Sequence, residues 1–276
     1  MFGGPKLRLA LLDMYDGTTN QGMRCINDIL SQYSDNIEYD VFDVRGQRAI
    51  PDTSYDIYIS SGGPGDPREG DGLWDADYYA LLDELWRINQ TDDGRKKYVF
   101  FICHSFQMAC IFFKIGQVKK RSEMSFGTFP VYPTDKGITE PVFDGLSNPF
   151  WVADFRRFQV IQPDLQQIKA IGAQILALEK PRPNFPQARA IMAVRFSDEF
   201  VGVQFHPEAD ATGMLSHFRT EKTMVHVLNT YGKGRYESMI KDLSHPAKIE
   251  KTNLTVIPNF LNNCILQLKQ EPVPAY

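Results

Sequence analysis

Apolar positions along the chain gather into short runs, separated by stretches in which they recur at helical spacing. The run from Leu7 to Leu12, broken by Arg8 and closed by Asp13, predicts a buried strand. Residues 18–33, TTNQGMRCINDILSQY, place Met23, Ile26, Ile29 and Leu30 on one face and predict a helix. IEYDVFDV (37–44) alternates as a half-buried strand does, and YDIYISSGGPGDP (55–67) is a strand running into a glycine turn. LWDADYYALLDELWRIN (73–89) is helical in pattern, and KYVFFIC (97–103) is an apolar strand. FQMACIFFKIG (106–116) predicts a helix apolar on nearly every side, hence a buried one, with Gly116 at its C-cap.

Between residues 117 and 200 the pattern changes. GTFPVYPT, FWVADF and ARAIMAVRF predict shorter β segments, and the charged GQVKKR reads as a solvated loop. EFVGVQF (199–205) predicts another apolar strand, ending in His206-Pro207-Glu208. From about Met214 onward the pattern is helical, and EPVPAY reads as a frayed end. Alternating strands and helices predict an α/β fold, with a mostly parallel central sheet covered by helices on both faces and a C-terminal helical extension. The expected division is an α/β domain over 1–218 and a helical extension over 219–276, which covers the core or builds an interface between copies.

Composition narrows the function classes. Of 276 residues, 43% are hydrophobic and 23% charged, the balance of a soluble globular protein. A net charge of −4 leaves no basic stripe for nucleic acid or an anionic membrane. No apolar run reaches the roughly 18 residues of a membrane span, and the first residues lack a signal-peptide pattern. Cys25, Cys103, Cys110 and Cys264 are scattered, which indicates neither a disulfide framework nor a zinc site and fits a reducing cytoplasm. His217, His226 and His245 fall in the helical tail without metal-ligand spacing and read as structural or surface residues; Met214 and Phe218 beside them read as core.

Three predicted strands end in chemically loaded turns: Ser61-Gly62-Gly63-Pro64, Cys103-His104 and His206-Pro207-Glu208. In open α/β sheets, ligands bind outside the carboxyl ends of the strands. A cysteine between a strand and a helix stands in a nucleophile-elbow arrangement, where the helix N-terminus favours the thiolate. Taken alone, Cys103 reads equally as a packed thiol. A cysteine nucleophile needs a base, and the base needs an orienting acid; His206 and Glu208 supply both. Gly62 and Gly63 allow backbone N–H groups to face a ligand, so one oxyanion donor can come from this turn and a second from His104.

These residues resemble the class I glutamine amidotransferases, the Cys-His-Glu family whose ammonia-producing domain serves GMP synthase, anthranilate synthase, CTP synthase and carbamoyl phosphate synthetase. The resemblance covers roughly residues 7–218. ISSGGPGDP matches the oxyanion-strand motif, FICHSFQ stands where the family has G-[IV]-C-x-G-x-Q, and VGVQFHPE matches G-[IV]-Q-F-H-P-E. GMLSHF is similar to the family's helix after the triad. The resemblance implies Cys103 as nucleophile, His206 as general base and Glu208 as its orienting acid. It also implies oxyanion N–H groups from Gly63 and His104, and substrate contacts from Gly62 and Gln107. The implied reaction is hydrolysis of glutamine to glutamate and ammonia through a thioester, with no cofactor or metal, for a separate synthetase of the GMP-synthase kind. Two alternatives stand beside it: hydrolysis of other γ-glutamyl compounds, and a catalytically impaired regulatory relative.

The match departs from the family at three places. Phe101 and Ser105 replace the elbow glycines, and VADFRRFQV (152–160) lacks the family's Ser-His pair. Two readings of the replacement stand: Asp154, Arg156 or Arg157 takes over recognition, or Arg156 and Arg157 are a solvated charge pair, which is the favoured reading of the two arginines.

Overall fold

The computed structural model describes residues 5–18, 20–91, 94–181 and 189–270; EPVPAY lies outside the described residues. Its strands form one sheet in the order β2-β1-β3-β4-β9-β8-β6-β5-β7. The first five, β1 (Leu7–Asp13), β2 (Ile37–Asp43), β3 (Ile57–Ser60), β4 (Tyr98–Ile102) and β9 (Phe200–Val203), run parallel. The rest, β5 (Gln117–Pro133), β6 (Phe150–Ile161), β7 (Gln174–Leu178) and β8 (Ile191–Arg195), pair antiparallel. The expected mostly parallel sheet is therefore a mixed one. The reason is connection length: β8 returns into β9 through a tight turn closed by Phe196 N–H to the Phe200 carbonyl at 2.8 Å. Such a turn cannot hold the crossover a parallel pair requires.

Helices cover both faces of the parallel half. Along one face, α1 (Gln21–Ser31) and α10 (Val256–Gln270) pack Ile26, Ile29, Phe260 and Leu261 against Leu9, Ile57, Phe100 and Val201. Across the other, α2 (Trp74–Asn89) and α3 (His104–Phe112) pack Tyr78, Leu82, Phe106 and Ala109 against Ala10, Tyr58, Val99 and Phe101. A third cluster joins α6 (Ala211–Arg219), α7 (Glu221–Tyr231), α8 (Lys233–Leu243) and α9 (Ile249–Asn253) to β5 and β6 through Phe126, Ala153 and Phe155. Short helices α4 (Asp135–Ile138) and α5 (Leu165–Ala170) complete the antiparallel half.

Two local expectations change. QVKKR is the first part of β5, with Gln117 opposite Ile161, and Val118 is buried while Lys119 and Lys120 face solvent. The segment is a strand whose outer positions are charged, and its register with β6 shifts between Lys120 and Ser125. Gly116 does not cap α3. The chain leaves that helix through Lys114 at φ 54°, with Ile115 N–H bonded to the Cys110 carbonyl at 2.9 Å. A Cβ on Gly116 would stand 2.8 Å from the Ile161 carbonyl oxygen, so close approach of β6 requires the glycine.

Phe101 finds its space in the neighbouring strand. It lies opposite Gly202 and packs edge-on to Phe196 and Phe200, under α3 and facing away from Cys103. A Cβ on Gly202 would come within 3.0 Å of the Phe101 Cβ and 2.9 Å of Phe106 Cδ2. The large residue on β4 is thus matched by a missing side chain on β9. Gly202→Ala is expected to cost about 1–3 kcal/mol by overpacking, and Phe101→Ala about 3–5 kcal/mol by leaving a cavity. In urea denaturation the double variant should lose less than the sum of the two, because each change relieves the other; strict additivity would contradict this pairing.

Candidate active site

Parallel pairing brings the carboxyl ends of β3, β4 and β9 side by side. Cys103 occupies the junction of β4 and α3 with φ 49° and ψ −94°, a left-handed conformation unusual for a residue with a side chain. Two attachments hold it. Cys103 N–H donates to the Val203 carbonyl on β9 at 2.8 Å. Ser105 Oγ accepts from Ile102 N–H at 2.9 Å and donates to the Ser60 carbonyl at 2.7 Å. A serine where a glycine was expected therefore ties the elbow to β3.

His206 follows β9 and is fixed to β6 by its N–H, which donates to the Ala153 carbonyl at 2.9 Å. Its Nδ1 lies 2.8 Å from Glu208 Oε1, and the Glu208 backbone carbonyl accepts from Asn253 Nδ2 on α9 at 2.8 Å. Burial by itself would favour the neutral imidazole. The Glu208 carboxylate and, after it, the Cys103 sulfur beside the ring outweigh it and hold the His206 pKa well above its usual value. Gly22, in the first turn of α1, stands against the same carboxylate, where a Cβ would be 3.2 Å from Glu208 Oε1. The positive end of that helix suits a buried anion.

The glycine turn closes over the histidine. A Cβ on Gly62 would stand 2.9 Å from His206 Cε1, and one on Gly63 would stand 2.3 Å from the Met14 carbonyl oxygen. Ser61 Oγ accepts from Met14 N–H at 2.9 Å, and Arg45 Nη1 donates to the Pro64 carbonyl at 2.6 Å, so the turn is pinned from both sides. His104 opens α3, where a backbone N–H has no partner within the helix. Its ring is buried, and Nε2 has no hydrogen-bond partner.

Cys103, His206, Glu208 and Gly63 line one cavity of about 540 Å³. Gln107 does not line it. That side chain is buried under the elbow, where Nε2 donates to the Phe158 carbonyl and to Gln204 Oε1, both at 3.0 Å. Gln204 Nε2 in turn points to Cys103 Sγ at 3.8 Å. Asp154 and Arg156 are buried together, with Arg156 Nε on Asp154 Oδ2 at 2.9 Å and Nη2 on Glu179 Oε1 at 3.2 Å. They lie outside the cavity wall, and Arg157 is exposed; from this strand it is Phe155 that reaches the cavity.

Several lining residues escaped the sequence reading. Tyr15, beyond the end of β1, brings its hydroxyl toward Gly22 and Gly62. Burial, then Glu208 and Cys103, push its pKa well above the usual value, so the phenol keeps its proton. Cys25 lines the cavity too, and burial pushes its thiol up to about 12. His217 and His226, exposed as the surface reading expected, also line the cavity, together with Met214 and with Phe218, which belongs to the third core cluster as expected. The signal was available only as helical spacing in α6 and α7, which does not say what a helix face looks onto. Among the described residues no group of His, Cys, Asp and Glu is gathered to hold a metal ion.

The family model for glutamine amidotransferase class-I matches residues 10–222, and the chain belongs to that family. A glutamine amidotransferase from Thermotoga maritima shares its fold at 14% identity and TM-score 0.68, over 95% of this chain and 99% of that one. A Thermoplasma acidophilum protein assigned to GMP synthase as one of its subunits does so at 16% identity and TM-score 0.53, over 97% and 100%. The glutaminase domain of Trypanosoma brucei CTPS, solved with acivicin bound, matches at 17% identity and TM-score 0.55, over 74% and 86%. At these identities the likeness is one of fold. Among curated proteins none matches the chain.

Burial, with Arg45 nearby and only partly offset by Asp66, lowers the His104 pKa from 6.5 to about 3. The unfolded chain therefore takes up a proton over this window that the folded chain refuses. The stability His104 contributes is complete above pH 6.5 and declines as the pH falls toward 3. His104→Gln should lose less of its urea midpoint than the parent between about pH 7 and pH 5. Equal losses would contradict the buried, neutral ring.

Proposed function

We propose that the protein is a cysteine amide hydrolase that converts glutamine to glutamate and ammonia through a thioester at Cys103. The observation that carries this reading is the left-handed Cys103 at the β4–α3 junction, sharing one cavity with the His206–Glu208 pair. Membership of the glutamine amidotransferase class-I family supports it.

In this reading His206 takes the thiol proton and Cys103 Sγ attacks the side-chain carbonyl of glutamine. The N–H groups of Gly63 and His104 stabilise the oxyanion. The His206 imidazolium returns the proton to the leaving nitrogen, the C–N bond breaks and ammonia departs. Water, activated by His206, then cleaves the thioester and frees glutamate. Glu208 keeps the imidazole oriented and favours its charged form. Gln107 acts beneath this site, holding Gln204 against the nucleophile, and Gly62 lets the histidine approach the turn. The reaction requires no cofactor. The ammonia serves a separate synthetase in the cytoplasm. That reading is supported by the likeness to the Thermoplasma acidophilum protein assigned to GMP synthase, and by four cysteines that are all free.

Cys103→Ala is expected to abolish release of glutamate and ammonia from L-glutamine, and release that persists would contradict the nucleophile. His206→Ala should slow formation of the acyl-enzyme by about 10²–10⁴-fold. Glu208→Ala should cost less, because the carboxylate orients the base and does not carry the proton. Equal losses for the two would argue against separate roles.

A further inference from the structure

The cavity is larger and more apolar than removal of ammonia requires. Its volume of about 540 Å³ lies within the roughly 300–1,000 Å³ of sites that hold drug-sized molecules. The ring of Phe155 lies 6.2 Å from that of His206, Phe218 stands 6.2 Å from Phe155, and Phe126 stands 5.8 Å from Phe218. Phe126 is stacked on Tyr231 at 4.2 Å, which fixes the far end of this wall. Phe126, Phe155, Phe218 and Val227 all line the cavity that contains Cys103. Val227 and Tyr231 lie beyond residue 222, where the match to the family ends, so this side is completed by the chain's own C-terminal helices.

The position of the wall says which half of a substrate it serves. The imidazole that receives the thiol proton also delivers it to the leaving nitrogen. Anything attached to that nitrogen therefore arrives on the His206 side, against Phe155. Ammonia has nothing to place there. Open aromatic surface beside a reacting group is stabilised when an apolar group covers it.

We propose that the site also opens amides that carry an apolar substituent on nitrogen: γ-glutamyl amides of an aromatic or branched aliphatic amine. The hydrocarbon part lies against the partly exposed rings of Phe126 and Phe155, with buried Phe218 and Val227 behind them. This rests on the hydrolytic reading of Cys103 and extends it from glutamine to its N-substituted amides. Cys103 Sγ forms the bond to the γ-carbonyl carbon, the C–N bond breaks, and the nitrogen takes the proton held by His206 and leaves as a free amine. Water then breaks the S–C bond, giving glutamate and the thiol, with no redox change.

The test compares kcat/KM for glutamate release from L-glutamine, γ-glutamyl-methylamide and γ-glutamyl-(2-phenylethyl)amide by the full chain. The phenylethylamide should exceed glutamine by about tenfold or more, with the methylamide between them. Phe218→Ala should reduce that ratio by about tenfold. If the variant does not fold, the series on the parent protein still decides. A phenylethylamide opened no faster than glutamine would overturn the apolar subsite and leave the hydrolytic reading standing. Release from none of the three, or release that survives Cys103→Ala, would overturn both.

Discussion

The left-handed turn at Cys103 is the constraint on which the rest of the structure depends. A residue with a side chain at φ 49° costs of the order of 1–3 kcal/mol and persists only where its surroundings over-determine it. Here they do so from three directions. The Cys103 N–H is bonded to β9, the Ser105 hydroxyl straps the elbow to β3, and α3 is packed down on Phe101 and the aromatic cluster beneath it. The turn places Cys103 at the edge of the core, buried on one side and lining the cavity on the other.

The same sheet supplies two histidines with opposite electrostatics. His104 and His206 are both withdrawn from water, which alone would lower both pKa values. His206 faces a carboxylate and a thiol, and its protonated form is favoured. His104 lies near Arg45, and its neutral form is favoured. One ring is thereby suited to holding a proton near a reacting group, and the other to packing beneath the turn. The parallel half of the sheet aligns these elements, while the antiparallel half and the C-terminal helices build the cavity wall.

Much of this was legible in the sequence, because the inner parallel strands β3, β4 and β9 are apolar on both faces and end in residues that alternation does not explain. Cys103, His206, Glu208 and Gly63 meet in one cavity as their strand ends suggested. Other features depend on contacts between segments distant in the chain. Phe101 looked disruptive until Gly202 stood opposite it. Gln107 has the residue type of a substrate contact, yet its amide is consumed by Phe158 and Gln204. Arg156 and Arg157 read as a solvated charge pair or as recognition residues, because position on a strand does not say which face is covered, yet Arg156 is buried against Asp154. The long β5 was hidden by its charged outer positions, and the wall formed by Phe155, Phe218 and Val227 by the fact that helical periodicity reveals a face and not its neighbour.

The central claim is that Cys103 carries the acyl group during turnover. It is tested most directly by mixing the protein with excess L-glutamine, quenching in acid within a turnover and locating the adduct by peptide mass spectrometry. The account predicts a glutamyl thioester on Cys103 and none on Cys25, Cys110 or Cys264. An adduct on another residue, or glutamate release in which Cys103 never becomes acylated, would contradict it.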